Sequence, residues 1–147
     1  MLSNTCKYAI RAVIYLALNE KADQKIGIKQ ISSDLNIPSP FLGKILQVLS
    51  KNKLLTSSKG PNGGFKLGKR PSKISLLDIV KVIDGMDFFD TCIIGMKVCE
   101  GDVKMKEKCP FHNSLDPIRD ELFLKFKSLK VSSFKRGVAD ITDILSL

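Results

Sequence analysis

Three of the four cysteines and the single histidine of this 147-residue chain fall in one stretch, Cys92 to His112. Thiolate and imidazole side chains are good ligands for zinc and iron, and four of them within one short, otherwise irregular segment point to a metal-binding loop. Zinc is the first candidate by ligand type. The spacing argues against a structural zinc knuckle, which pairs cysteines about two residues apart. Here six residues separate Cys92 from Cys99 and nine separate Cys99 from Cys109, so the close pair is Cys109 and His112. Iron–sulfur centres accept wider spacing and can exchange cysteine for histidine. The set Cys92, Cys99, Cys109 and His112 therefore suits a [2Fe–2S] cluster ahead of a [4Fe–4S] cluster, with zinc or metal-free thiols as the alternatives. The remaining cysteine, Cys6, sits in an apolar helical pattern and reads as a packed thiol. The chain has no CxxC pair and no acid–base pair beside His112, which leaves little to support an enzyme.

Such a loop needs something to control, and the charge distribution indicates what. Residues 1–70 carry twelve Lys and Arg against three Asp and Glu, whereas residues 71–147 carry twelve of each. The whole net charge of +9 thus belongs to the first half. A basic module joined to an electrically neutral one suits a polyanion partner such as DNA. No apolar run approaches the ~18 residues needed to span a bilayer. The N-terminal segment also lacks the basic, apolar and cleavable regions of a signal peptide, so the cytoplasm is the expected location.

The elements follow from periodicity. Ser3 or Asn4 can cap a first helix to about Asn19, with apolar positions around much of its circumference. Ile28, Ile31 and Leu35 mark a short amphipathic helix that Asn36-Ile37-Pro38 breaks. Ser39 as cap and Pro40 as first residue then open a new helix, whose stripe is Leu42, Ile45, Leu46 and Leu49. Its opposite, polar side carries Pro40, Gly43, Lys44, Gln47 and Lys51. Two short helices joined by a tight turn describe a helix-turn-helix. Residues 54–58 and 65–67 read as paired strands, and the loop Lys59-Gly60-Pro61-Asn62-Gly63-Gly64 between them makes a basic wing, slender enough for a minor groove.

Ser75 and Asp78 form a capping-box-like start to a helix that buries Leu76, Ile79, Val80 and Ile83 and ends at Gly85. Beyond the cysteine loop, Ser114 can cap a long helix to about Leu129. Its stripe of Leu115, Ile118, Leu122, Phe126 and Leu129 could fold back on the core or form a two-helix dimer seam. Val138, Ile141 and Leu145 mark a last short helix from about Ser133.

In this order, Tyr8-Ala9-Ile10-Arg11-Ala12, the helix-turn-helix, the wing Ser58-Lys59-Gly60-Pro61-Asn62-Gly63-Gly64-Phe65-Lys66-Leu67, Ile74-Ser75-Leu76 with Asp78-Ile79-Val80, Asp84-Gly85 and a three-cysteine loop, the chain resembles the IscR- and NsrR-type family of dimeric winged-helix transcription regulators. Some members of that family sense through an iron–sulfur cluster. The resemblance covers about residues 1–130 and implies a recognition helix with Ser39, Pro40, Phe41 and Lys44 nearest the major groove. Gln47 lies on the same face. It implies a wing of Ser57, Ser58, Lys59, Gly60, Asn62, Gly63 and Gly64 reaching the minor groove. Cys92, Cys99 and Cys109 would be cluster ligands with His112 as the fourth, and the long helix would be the dimer helix. The chain departs from the family in having Lys59 where Arg is common, in its longer cysteine spacings, and in Lys7 where some members place a carboxylate ligand.

The expected fold is mainly α with a small β wing. It comprises a winged helix-turn-helix over residues 1–85, a cysteine-rich sensor loop over 86–112, and a dimerisation helix with a C-terminal helix over 113–147. The expected function is sequence-specific DNA binding that represses transcription as a homodimer on a pseudo-palindromic site, switched by an iron–sulfur cluster or cysteine oxidation. The competing classes are a zinc-stapled or metal-free regulator, a protein-interaction module without DNA sequence preference, and a small thiol or electron-transfer enzyme.

Overall fold

The computed structural model describes residues 2–22, 24–92, 94–95 and 109–137. Helix α1 (Asn4–Leu18) starts where Ser3 accepts a bond from the Cys6 backbone N–H at 3.0 Å. Its whole run from Ala12 to Ala17 is buried, as expected of a helix apolar around most of its circumference. It is therefore a central post against which other elements pack.

Helix α2 (Ile28–Leu35) turns its Ile31 and Leu35 inward and ends at Asn36, which takes the left-handed conformation at φ 52°. Asparagine tolerates that region, which turns the chain sharply. Ser32 closes the turn from both sides: its carbonyl accepts from the Ile37 N–H at 3.0 Å and its hydroxyl donates to the Ile37 carbonyl at 2.6 Å. Helix α3 (Ser39–Lys51) then buries Leu42, Ile45, Leu46 and Leu49, the stripe the sequence pattern marks. Each such side chain stabilises the fold by about 1.5–3 kcal/mol. Two details differ from expectation. Pro38, not Ser39, occupies the cap position, and its carbonyl accepts the Phe41 and Leu42 N–H groups. Gly43 faces α2 rather than the polar side, because a Cβ there would stand 3.1 Å from Cδ1 of Ile28.

Strands β1 (Leu55–Ser58) and β2 (Gly64–Leu67) pair antiparallel, with Leu55 opposite Leu67 and Ser58 opposite Gly64. The hairpin has a third partner absent from the sequence reading. Ile26 exchanges both backbone bonds with Phe65 at 2.9 Å each, tying the wing to the segment before α2.

Helix α4 (Leu76–Ile83) opens with the expected capping box of Ser75 and Asp78. It ends at Asp84, with Gly85 beyond it at φ 76°. A single turn, α5 (Asp87–Asp90), follows. The long helix α6 runs Pro110–Ser128, a full turn earlier than the Ser114 start expected, because Pro110 suits the first helical position and Cys109 takes the cap. After α6 the chain returns to the core. Leu76 donates to the Leu129 carbonyl at 3.1 Å, Val131 donates to the Ile74 carbonyl at 2.9 Å, and the Val131 side chain is fully buried. A short helix, α7 (Phe134–Gly137), follows. The expected helical phase at Val138, Ile141 and Leu145 lies outside the described residues.

Helix α6 packs on α4 and α5 through an aromatic cluster in which Phe89 meets Phe123 at 5.5 Å and Phe126 at 6.1 Å. That face also buries His112 and Arg119. The expected stripe is split in consequence. Phe126 turns partly to the core, whereas Ile118 and Leu129 are exposed, as is Phe111 two turns before Ile118.

Candidate nucleic-acid interface

The candidate interface is centred on α3, whose buried stripe fixes which residues face out. Pro40, Phe41, Lys44, Gln47 and Lys51 are exposed and Ser39 is half-buried, as the sequence pattern expects. Val48, left out of that expectation, is exposed on the same helix. Phe41 and Val48 give this surface apolar tips of the kind that can meet thymine methyl groups, and Lys44 and Gln47 carry donors of the kind that can meet base edges or phosphates.

The wing stands beside it. Ser57, Ser58, Lys59, Gly60 and Asn62 are exposed, and a tight turn is closed by the Gly63 N–H donating to the Gly60 carbonyl at 2.9 Å. Gly63 and Gly64 have a different task. A Cβ at Gly63 would stand 2.4 Å from the Ser58 carbonyl oxygen, and one at Gly64 would stand 2.4 Å from that of Ile26. These two glycines let backbones touch, so they shape and anchor the wing.

Between the wing and the first turn of α2 lies a cleft of about 600 Å³ in which Lys29 faces Ser58, Lys59 and Gly60. Gly27 caps α2 without a side-chain bond, so first-turn N–H groups stay available there. Two lysines beside a helix N-terminus favour a phosphate. Sequence reasoning missed Lys29, because helical periodicity showed its element but not the approach of the wing.

The cysteine loop is only partly described, and Cys99 lies outside the described residues. Cys92 is buried in a depression shared with Ser3, Asp84, Asp87 and Thr91. Cys109 is half-buried at the start of α6. His112 is only 5% exposed, its Nδ1 has no hydrogen-bond partner, and it lines a separate depression with Asp90, Asp116, Arg119 and Asp120. An orphaned imidazole nitrogen is a donor that a metal could satisfy. Among the described residues, however, no three His, Cys, Asp or Glu side chains converge on one point. Cys92 and His112 line different depressions of the surface.

Asp84, beside Cys92, does other work. Its carboxylate accepts from the Ser3 N–H at 2.8 Å and from the Ser3 hydroxyl, clasping the start of α1 to the end of α4. Cys6 is fully buried, a packed thiol as expected, and burial with the Asp84 carboxylate nearby pushes it from 9.0 up to about 12.

A helix-turn-helix with a hairpin wing and lysines along its outer face is the architecture of a winged-helix DNA-binding regulator. The profile described as "Rrf2: Iron-dependent Transcriptional regulator" matches residues 2–136. The chain belongs to the Rrf2 family, a family of DNA-binding transcription regulators and not of enzymes. It is 31% identical over 131 residues to an Aquifex aeolicus protein named as an HTH-type transcriptional regulator, covering 89% of this chain and 88% of that one. It is 30% identical over 121 residues to the HTH-type transcriptional regulator IscR of Escherichia coli, covering 82% and 71%. Among solved structures, CymR, the global cysteine regulator of B. subtilis, superposes with a TM-score of 0.74 at 22% identity, covering 94% and 98%. T. potens IscR superposes at 0.66 with 20% identity, covering 95% and 93%. These two likenesses establish the shared fold. No helix among the described residues is long and apolar enough to cross a membrane.

Proposed function

We propose that the protein is a cytoplasmic, homodimeric repressor that reads a pseudo-palindromic operator and is switched through the Cys92–His112 loop. The observation that carries the reading is the set of exposed lysines, Lys29 on α2 and Lys59 on the wing lining one cleft and Lys44 on the outer side of α3. The α3 residues Ser39, Pro40, Phe41, Lys44 and Gln47 read the major groove. The wing tip, from Ser57 through Lys59, Gly60 and Asn62, follows the adjacent minor groove, held in shape by Gly63 and Gly64. Residues 1–85 are the reader, 86–112 the sensor and 113–147 the dimer arm.

The dimer reading rests on the apolar surface that α6 leaves uncovered, with Phe111 and Ile118 exposed and Leu115 and Leu122 half-exposed along it. Two-fold pairing along that helix sets two readers about one helical turn of DNA apart. The switch rests on the donor set Cys92, Cys99, Cys109 and His112, which suits a [2Fe–2S] cluster or redox-active thiols, and on the unsatisfied Nδ1 of His112.

The test is a binding titration across salt concentrations. Lys59→Ala should weaken binding to an operator and lower the salt slope by about 1, one phosphate contact. Unchanged affinity and slope would refute the wing assignment. Competition against random duplex separates a regulator from an interaction module, which would bind both alike. Iron and sulfide analysis of protein isolated without oxygen distinguishes the switches, since an iron-free, colourless protein rules out the cluster.

A further inference from the structure

Helix α1 touches the helix-turn-helix along one face. Tyr8, Arg11 and Tyr15 are spaced at i, i+3 and i+7 and share that face. The Tyr15 hydroxyl donates to the Asp34 carboxylate at 2.5 Å, and Arg11 Nη2 donates to the Leu35 carbonyl, at the last residue of α2, at 3.3 Å. The same guanidinium lies 5.8 Å from the centre of the Tyr8 ring. Tyr8 in turn meets Phe41 with ring centres 5.7 Å apart and planes at 88°, an edge-to-face pair. The row therefore grips the turn on both sides, at the end of α2 and at the start of α3.

Phe41 is 38% exposed, so its ring has one flank against Tyr8 and another open on the outer surface of α3. An exposed aromatic at a helix start would otherwise sample several rotamers, which blurs any preference for one base step. We propose that Tyr8, which is not itself on the outer face of α3, is a positioning residue for DNA sequence discrimination. It seats Phe41 in one orientation and is steadied on its other flank by Arg11. The inference rests on α3 as the reading helix.

The experiment compares a duplex selected by the wild-type protein from a random pool with an unselected duplex, measuring affinity and salt slope for both. Tyr8→Leu should cut affinity for the selected duplex by about twofold to tenfold, the range of an aromatic pair. Affinity for the unselected duplex and the salt slope should not change, and Tyr8→Phe should restore the wild-type ratio. In a Phe41→Leu background, Tyr8→Leu should cost nothing further. Equal losses on both duplexes, or full additivity with Phe41→Leu, would overturn the proposal. Unfolding of Tyr8→Leu in a thermal melt would overturn it too, by making the ring a core residue. Loss of discrimination in Phe41→Leu alone, with Tyr8→Leu silent, sinks only the Tyr8 role. Intact discrimination in Phe41→Leu overturns the proposal, and intact discrimination in Lys44→Ala and Gln47→Ala as well sinks the α3 reading itself.

Discussion

Replacing Gly64 with alanine tests how the wing is held. Gly64 adopts φ 151°, and an added Cβ would lie 2.4 Å from the Ile26 oxygen and 2.6 Å from its carbonyl carbon. Both obstacles are backbone, so the clash is relieved only by moving β2 away from Ile26. That movement breaks the two 2.9 Å bonds between Ile26 and Phe65. Each is worth about 1 kcal/mol net, and holding alanine at an unfavourable φ costs about 1–3 kcal/mol. The expected loss is about 3–5 kcal/mol against a typical total of ~5–15 kcal/mol. In urea the midpoint should fall by about 2 M at an ordinary slope, and operator affinity should fall as the wing loses its anchor. Gly60→Ala is the control. Gly60 also has positive φ, 100°, but nothing lies within 4 Å of its added Cβ. It should cost only the backbone penalty of about 1–2 kcal/mol. If Gly64→Ala costs no more than Gly60→Ala, the Ile26 clamp does not hold the wing.

Other expectations follow from the same geometry. Burial alone would raise the Asp78 carboxyl, but bonds from Ser75 and the nearby Lys130 and Lys69 outweigh it and hold the group below its ordinary 3.8. A depressed carboxyl stabilises the fold above its unfolded value and loses that contribution as pH falls through the folded one. Asp78→Ala should therefore cost about 1 kcal/mol at pH 7, and chemical denaturation should find the gap from wild type closing below pH 3.8. For Cys6, raised from 9.0 to about 12, the stability is present below pH 9.0 and is lost as pH climbs toward 12. At pH 8, iodoacetamide with peptide mass spectrometry should label half-buried Cys109 well before Cys6, and equal rates would contradict the burial. Ile118, 61% exposed, should tolerate aspartate with less than about 0.5 kcal/mol lost from the fold. Sedimentation equilibrium should nevertheless show the Ile118→Asp protein as a monomer, and an unaltered dimer would place the seam elsewhere.

Much of the architecture was legible because local rules control it. The α3 stripe of Leu42, Ile45, Leu46 and Leu49, the Ser75–Asp78 capping box and the Gly85 stop appear in the structure where helical period and capping chemistry put them. The wing loop was legible for the same reason, since its glycines and proline permit little else. Start points were less secure. Pro38 displaced Ser39 at one cap without a side-chain bond, and α6 began at Pro110 instead of after Ser114, since local cap preferences do not by themselves fix a helix boundary.

The site divides along the same line. The sequence by itself determined that a basic helix-turn-helix and wing precede a loop of thiols and one imidazole, since charge, period and residue type are properties of neighbours in the chain. Only the tertiary structure decided which partners meet across it. It brought Lys29 to the wing, Ile26 to Phe65 and Tyr8 to Phe41, and clasped Ser3 to Asp84 beside Cys92. It also set Cys92 and His112 in different depressions. Those contacts join residues far apart in the chain, and no local period encodes them. They arise when buried faces pack and leave their polar edges opposite one another.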